Sequence, residues 1–182
     1  PMLNLDAVLR AADAFASPSG LGLSGRRITI STAGVPEGIL RLAGSGRKYR
    51  LALSLHAANQ QVRERIMPIA GRHPLSEVVS ALEHFAITAS RDVTFEYCLI
   101  DGVNDSVRDA RDAAALANRF GGRVNLIPMN GVAGSEYRAP PALAVRRFQE
   151  ELERRGVSAP LRAEKGAEIG AACGQLRAGH KQ

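Results

Sequence analysis

Val93-Thr94-Phe95-Glu96-Tyr97-Cys98-Leu99-Ile100, followed at once by Asp101-Gly102-Val103-Asn104-Asp105, is the stretch that decides the fold. Its first eight residues are rich in β-branched and aromatic side chains, which suit a pleated strand, and a cluster of Gly, Asn and Asp then stops the strand. The residues beyond that turn read as a helix closing at Gly121-Gly122, where glycine suits the left-handed residue past a helix end. Outward in both directions the same alternation repeats. Upstream, Leu3 to Ala16 puts Leu5, Val8, Leu9 and Ala12 on one helical face, and Ser17-Pro18-Ser19-Gly20 ends it. Ile28 to Ser31 reads as a strand and a short helix begins near Pro36. Tyr49 to Leu55 reads as a second strand, Asn59 as the N-cap of a helix, and Leu75 to Ser90 as a longer helix. Downstream, Val124 to Ile127 is a strand, Pro140-Pro141 opens a helix that stops at Gly156, and Ala159 to Ala163 is a candidate last strand. Strands alternating with helices predict parallel βα units and an α/β fold.

In such folds the reactive groups gather at the carboxyl ends of the strands. Here Ser31-Thr32 closes the first strand, Ser54 and His56 the second and Asp101 the third, and Asn130 follows the fourth. A two-residue period would place Ser54 and His56 on one strand face with Leu55 opposite. Glu96, mid-strand, would be a costly buried charge unless hydrogen-bonded. Cys98 reads as a small packing residue, as buried cysteines commonly are.

The chain of 182 residues is long enough for one domain with a substantial core. Its 45% hydrophobic and 23% charged content excludes a disordered or fibrous class. No run approaches the roughly 18 apolar residues of a membrane span, so no membrane association is expected. Pro1-Met2-Leu3-Asn4 lacks the charged and apolar regions of a signal peptide, and an opening on Pro1 reads as part of a longer sequence. Cys98 and Cys173 are too far apart for a metal knuckle, which leaves no disulfide framework and makes a cytoplasmic location the expectation. The formal net charge of +6 attracts polyanions. Basic pairs contribute to it at Arg26-Arg27, Arg47-Lys48, Arg146-Arg147 and Arg154-Arg155, and such pairs are equally suited to a solvated surface or to RNA contact.

Several strings, taken in order, resemble the radical S-adenosylmethionine RNA methyltransferases that act at adenine C2. They are Ile30-Ser31-Thr32-Ala33-Gly34-Val35-Pro36, Ser54-Leu55-His56-Ala57, Glu96-Tyr97 with Asn104-Asp105, Asn125 to Asn130, and Ala171-Ala172-Cys173-Gly174-Gln175-Leu176. The resemblance covers essentially the whole chain, and its last string is the most specific. It implies a partial (β/α) barrel of the radical-SAM type with parallel strands. It also implies a single domain over residues 1–182, with βα units over 1–156 and a C-terminal extension carrying a cysteine loop over 157–182. S-adenosylmethionine would be bound by Ser31, Ser54, Leu55, His56 and Asn130, and Cys173 would be the catalytic, methyl-carrying residue. The substrates implied are 23S rRNA and tRNA, with the complete enzyme acting as a monomer.

Carbon C2 of adenine lies between two ring nitrogens and is electron-poor, so it does not attack a methyl sulfonium. A thiolate does, and this rationalises a two-stage reaction using two S-adenosylmethionine molecules. The family holds a [4Fe-4S] cluster on three closely spaced cysteines. None of those ligands occurs in this chain, so the resemblance places them upstream of Pro1, together with the first two barrel strands and an accessory domain. On that reading the chain alone has no radical activity and binds S-adenosylmethionine weakly, and Ile28–Ser31 is a sheet edge, exposed or capped by Leu3–Ala16. Three rival readings are an inactive split-gene or RNA-binding remnant, the related methyltransferase acting at adenine C8, and an ordinary βα-barrel enzyme with a phosphorylated substrate, which would need a Gly-rich loop after a late strand that the sequence does not show. Gly131 and Lys165-Gly166 stand where relatives more often have proline and Arg-Gly.

Overall fold

A computed structural model describes residues 1–130 and 135–162. Four strands form one parallel sheet: β1 (Thr29–Thr32), β2 (Arg50–Ser54), β3 (Val93–Leu99) and β4 (Val124–Pro128). Their spatial order is the chain order, with Ser31 beside Ala52, Ser54 beside Glu96 and Glu96 beside Asn125. Beyond β4 the segment around Ser158–Leu161 pairs as an irregular parallel edge. Val124 N–H donates to Ser158 O at 2.9 Å and Arg162 N–H donates to Leu126 O at 2.8 Å. The expected last strand therefore begins one residue earlier, and Ala163 lies outside the described residues.

The helices are α1 (Leu5–Ala16), α2 (Pro36–Gly44), α3 (Gln60–Ile66), α4 (Leu75–Ala89), α5 (Val107–Asn118) and α6 (Ala142–Arg154). Local sequence explains where several start. Pro36 occupies the first turn of α2, where its missing N–H costs nothing. Asn59 accepts from Val62 N–H at 3.1 Å, so it is the cap of α3. Ser106 and Asp109 form a reciprocal capping box on α5.

Alternation along the strands separates two faces. Leu51, Leu53, Val93, Phe95, Tyr97, Leu99, Val124 and Leu126 are buried against α2, α4, α5 and α6, whose Leu42, Leu82, Ala113 and Phe148 complete the core. Phe95 meets Phe120 edge-on at 5.7 Å and Tyr97 meets Phe148 at 4.9 Å. The opposite face carries Ser31, Ser54, Glu96, Cys98 and Asn125, which are exposed or half-buried. A parallel sheet in chain order, with core on one face and polar groups on the other, is the expected partial (β/α) barrel.

β1 has β2 as its only strand partner among the described residues, so it is the predicted edge. The polar ties of α1 go elsewhere: Asp6 pairs with Arg41 of α2 at 2.7 Å, and Asp13 pairs with Arg47 at 2.6 Å. Tyr49 O–H also donates to Asp13 at 2.6 Å, and the two donors hold the Asp13 carboxyl down at about 2. Two of the basic pairs are thus partly neutralised, since Arg154 and Arg155 both pair with Glu151.

Candidate functional site

The carboxyl ends of the strands bring together four of the six expected site residues as side chains. Ser31 is exposed on the last turn of β1, Ser54 ends β2 half-buried, and His56 and Asn130 are half-buried just past β2 and β4. Leu55 differs, because its side chain is fully buried in the core and its backbone is already engaged. Its N–H donates to Glu96 O at 3.0 Å and its carbonyl accepts from Arg63 Nε at 3.2 Å. Cys173 lies outside the described residues.

His56 corrects the two-residue-period expectation. β2 stops at Ser54, and His56 has φ of +55°, a left-handed conformation uncommon for a residue with a Cβ. Its N–H and that of Leu55 both donate to Glu96 O, so the chain bulges and the ring direction follows the turn rather than the pleat. The ring crosses to β3: His56 Nδ1 accepts from Cys98 N–H at 2.9 Å. An accepting Nδ1 requires the proton on Nε2, which leaves that N–H as a donor. Burial, with Arg63 nearby, pushes the imidazole down to about 4, so it is neutral near pH 7.

Asn104, fully buried, locks this turn to the next. Its Nδ2 donates to His56 O and to Cys98 O, both at 2.7 Å, and its Oδ1 accepts from Ile100 N–H at 2.7 Å. Arg63 does the same for the first two loops. It is fully buried and donates from Nη2 to Ala33 O at 2.7 Å and to Ser54 O at 3.3 Å, besides the bond to Leu55 O. Gly34 is required beside it, because its φ is +94° and a Cβ there would sit 3.1 Å from Arg63 Nη2. The sequence offered no sign of Arg63 beyond its place four residues after a helix cap. Asn104 was visible only as part of a resembling string.

Glu96 accepts from Asn125 Nδ2 at 2.7 Å, the hydrogen-bonded role expected for a half-buried carboxylate on this face. Cys98 is half-buried, and burial raises its thiol to about 11, so it stays protonated at neutral pH. Asn130 Oδ1 is buried and has no hydrogen-bond partner among the described residues.

S-adenosylmethionine fits this donor set. The Asn130 oxygen, without a partner among the described residues, suits a donor such as an amino or hydroxyl group, and the Ser31 and Ser54 hydroxyls can donate or accept. For an iron–sulfur cluster the fit is absent among the described residues, where no three His, Cys, Asp or Glu side chains lie together.

These features define a class. A parallel α/β sheet with polar groups at its strand ends is the fold of a crystal structure of a radical SAM methyltransferase from Sphaerobacter thermophilus, with a TM-score of 0.89 and 38% identity. That match covers 96% of this chain and 51% of the other. A domain of a pyruvate-formate lyase-activating enzyme from Bacteroides vulgatus shares the fold alone, at a TM-score of 0.66 and 14% identity. The sequence relatives are narrower: over the part that aligns, the chain is a homologue of the RlmN-type dual-specificity RNA methyltransferases. It is 45% identical over 177 residues to the probable dual-specificity RNA methyltransferase RlmN of Moorella thermoacetica, covering 97% of this chain and 50% of that protein. It is 45% identical over 178 residues to the dual-specificity RNA methyltransferase RlmN of Solidesulfovibrio magneticus, again covering 50% of that protein. The chain thus spans about half the length of these relatives. No family model matches it.

Proposed function

We propose that the chain is the cofactor- and RNA-facing part of a radical S-adenosylmethionine enzyme that methylates C2 of adenine in 23S rRNA and tRNA. The complete enzyme acts as a cytoplasmic monomer, and residues 1–182 form one domain of it, with βα units over 1–156 and the cysteine-bearing extension over 157–182. The observation that carries this reading is the 45% identity, over 97% of the chain, to proteins named as dual-specificity RNA methyltransferases.

When bound, S-adenosylmethionine supplies the methyl group and, with a [4Fe-4S] cluster, the radical chemistry that an electron-poor carbon demands. The chain's own residues supply placement. Ser31 and Ser54 hydrogen-bond hydroxyl, amino or carboxylate groups of the ligand, Asn130 Oδ1 accepts from it, and His56 Nε2–H donates to it. Leu55 contributes backbone shape only, given its buried side chain. Arg63 and Asn104 hold the loops of β1, β2 and β3 at fixed separations, so that positioning is paid for in folding rather than in binding. Cys98, protonated and partly enclosed, is a poor methyl acceptor, and the resemblance assigns that role to Cys173.

The test is nucleoside analysis of RNA treated with the enzyme containing this chain. Chromatography with mass detection is expected to show 2-methyladenosine, and Cys173→Ala to abolish it while leaving circular dichroism unchanged. A product at C8 would refute the C2 assignment, and no methylated adenosine at all would refute the function.

A further inference from the structure

The opposite end of the sheet holds a polar concavity, about 260 Å³ in volume, that the proposed chemistry does not use. Arg26, Arg50, Arg91 and Arg123 line it, with Asp92 and Ser158. The four arginines come from four separate segments: the turn before β1, the first residue of β2, and the approaches to β3 and β4. Only a parallel sheet gathers these amino-terminal ends on one side, and β3 alone, at about 3.3 Å per residue, separates this cleft from the candidate site by roughly 20 Å.

The charge is unbalanced. Among the described residues none of the four guanidinium groups forms an ion pair with a carboxylate. The single acid of the lining, Asp92, packs its carboxyl group against Gly121, whose missing side chain makes room for it. Arg91 Nε is buried without a hydrogen-bond partner among the described residues, an uncompensated donor that a solvated surface arginine would not have. Three exposed arginines and the half-buried Arg91 around one concavity, with hydroxyls beside them, suit the tetrahedral oxygens of a phosphate group, which accepts several charge-assisted bonds at once.

We propose that this cleft is a phosphate-binding site, taking either a phosphorylated small molecule or a backbone phosphate of a polynucleotide. It does not depend on the methyl-transfer reading, because no residue of the candidate active site lines it.

The full chain is titrated with inorganic phosphate, at constant ionic strength, and binding is followed by calorimetry and 31P NMR. Saturable binding is expected. The double variant R50Q/R123Q should weaken it about tenfold or more, as the loss of charge-assisted hydrogen bonds requires. The remote exposed variant Arg146→Gln should leave it unchanged, and Arg91→Lys, which keeps the charge but not the fork, should weaken it. Non-saturable binding, or equal losses in R50Q/R123Q and R146Q, overturns the proposal, since either means diffuse attraction to a basic chain. Parallel titrations with adenosine 5′-monophosphate and a short single-stranded RNA identify the source. Displacement of the RNA by phosphate, lost in R50Q/R123Q, assigns the cleft to backbone phosphates; phosphate binding that leaves RNA binding unaltered assigns it to small phosphorylated molecules.

Discussion

His56 shows how one residue's environment settles its chemistry. Its Nδ1 is occupied by Cys98 N–H and it is largely enclosed, so protonation would break a hydrogen bond and bury a charge beside Arg63. With a folded value near 4 against an ordinary 6.5, the fold favours the neutral ring. The stability this gives is complete above about pH 6.5 and is lost as pH falls towards 4, because the unfolded chain takes up the proton first. The loss across that window is expected to reach about 3 kcal/mol. Proton NMR of the His56 ring should show no titration above pH 5, and His56→Phe should flatten the decline in denaturation midpoint between pH 6.5 and 4.

At the scale of elements, α3 matters for what its Arg63 does to two strand ends. A lone buried guanidinium is costly, and it is tolerated because Ala33, Ser54 and Leu55 present carbonyls to it. Arg63→Met is expected to strip the Ala33 and Ser54 carbonyls of this donor and to cost about 3 kcal/mol, with Arg63→Lys recovering only part because ammonium lacks the fork. Urea denaturation checks this. If α3 were held only by its apolar contacts, both variants would unfold at the wild-type midpoint.

For the whole molecule the exposed feature is β1. It has one strand neighbour among the described residues and carries no proline, and its Thr29 and Ser31 are exposed. Such an edge templates pairing with another chain. Concentration-dependent self-association is expected by light scattering, and Thr29→Lys should suppress it by placing charge on the edge. A chain that stays monodisperse and monomeric at high concentration contradicts this.

The sequence by itself determined the alternation of strands and helices and their parallel sense. Those depend on periods of 2 and 3.6 residues and on caps such as Asn59, all written within a few neighbours. The strand pattern singled out Ser31, Ser54, His56 and Asn130, and resemblance added a ligand-binding role for them; the tertiary structure places all four at strand carboxyl ends. Three features needed the fold itself. His56 left the strand period because a bulge opposite Glu96 put it in a left-handed turn, Arg63 and Asn104 became buried locks between loops, and four arginines scattered from Arg26 to Arg123 met at one cleft. Each depends on groups tens of residues apart in the chain. Only the packed sheet sets their separation, and with it which polar atoms find partners and which do not.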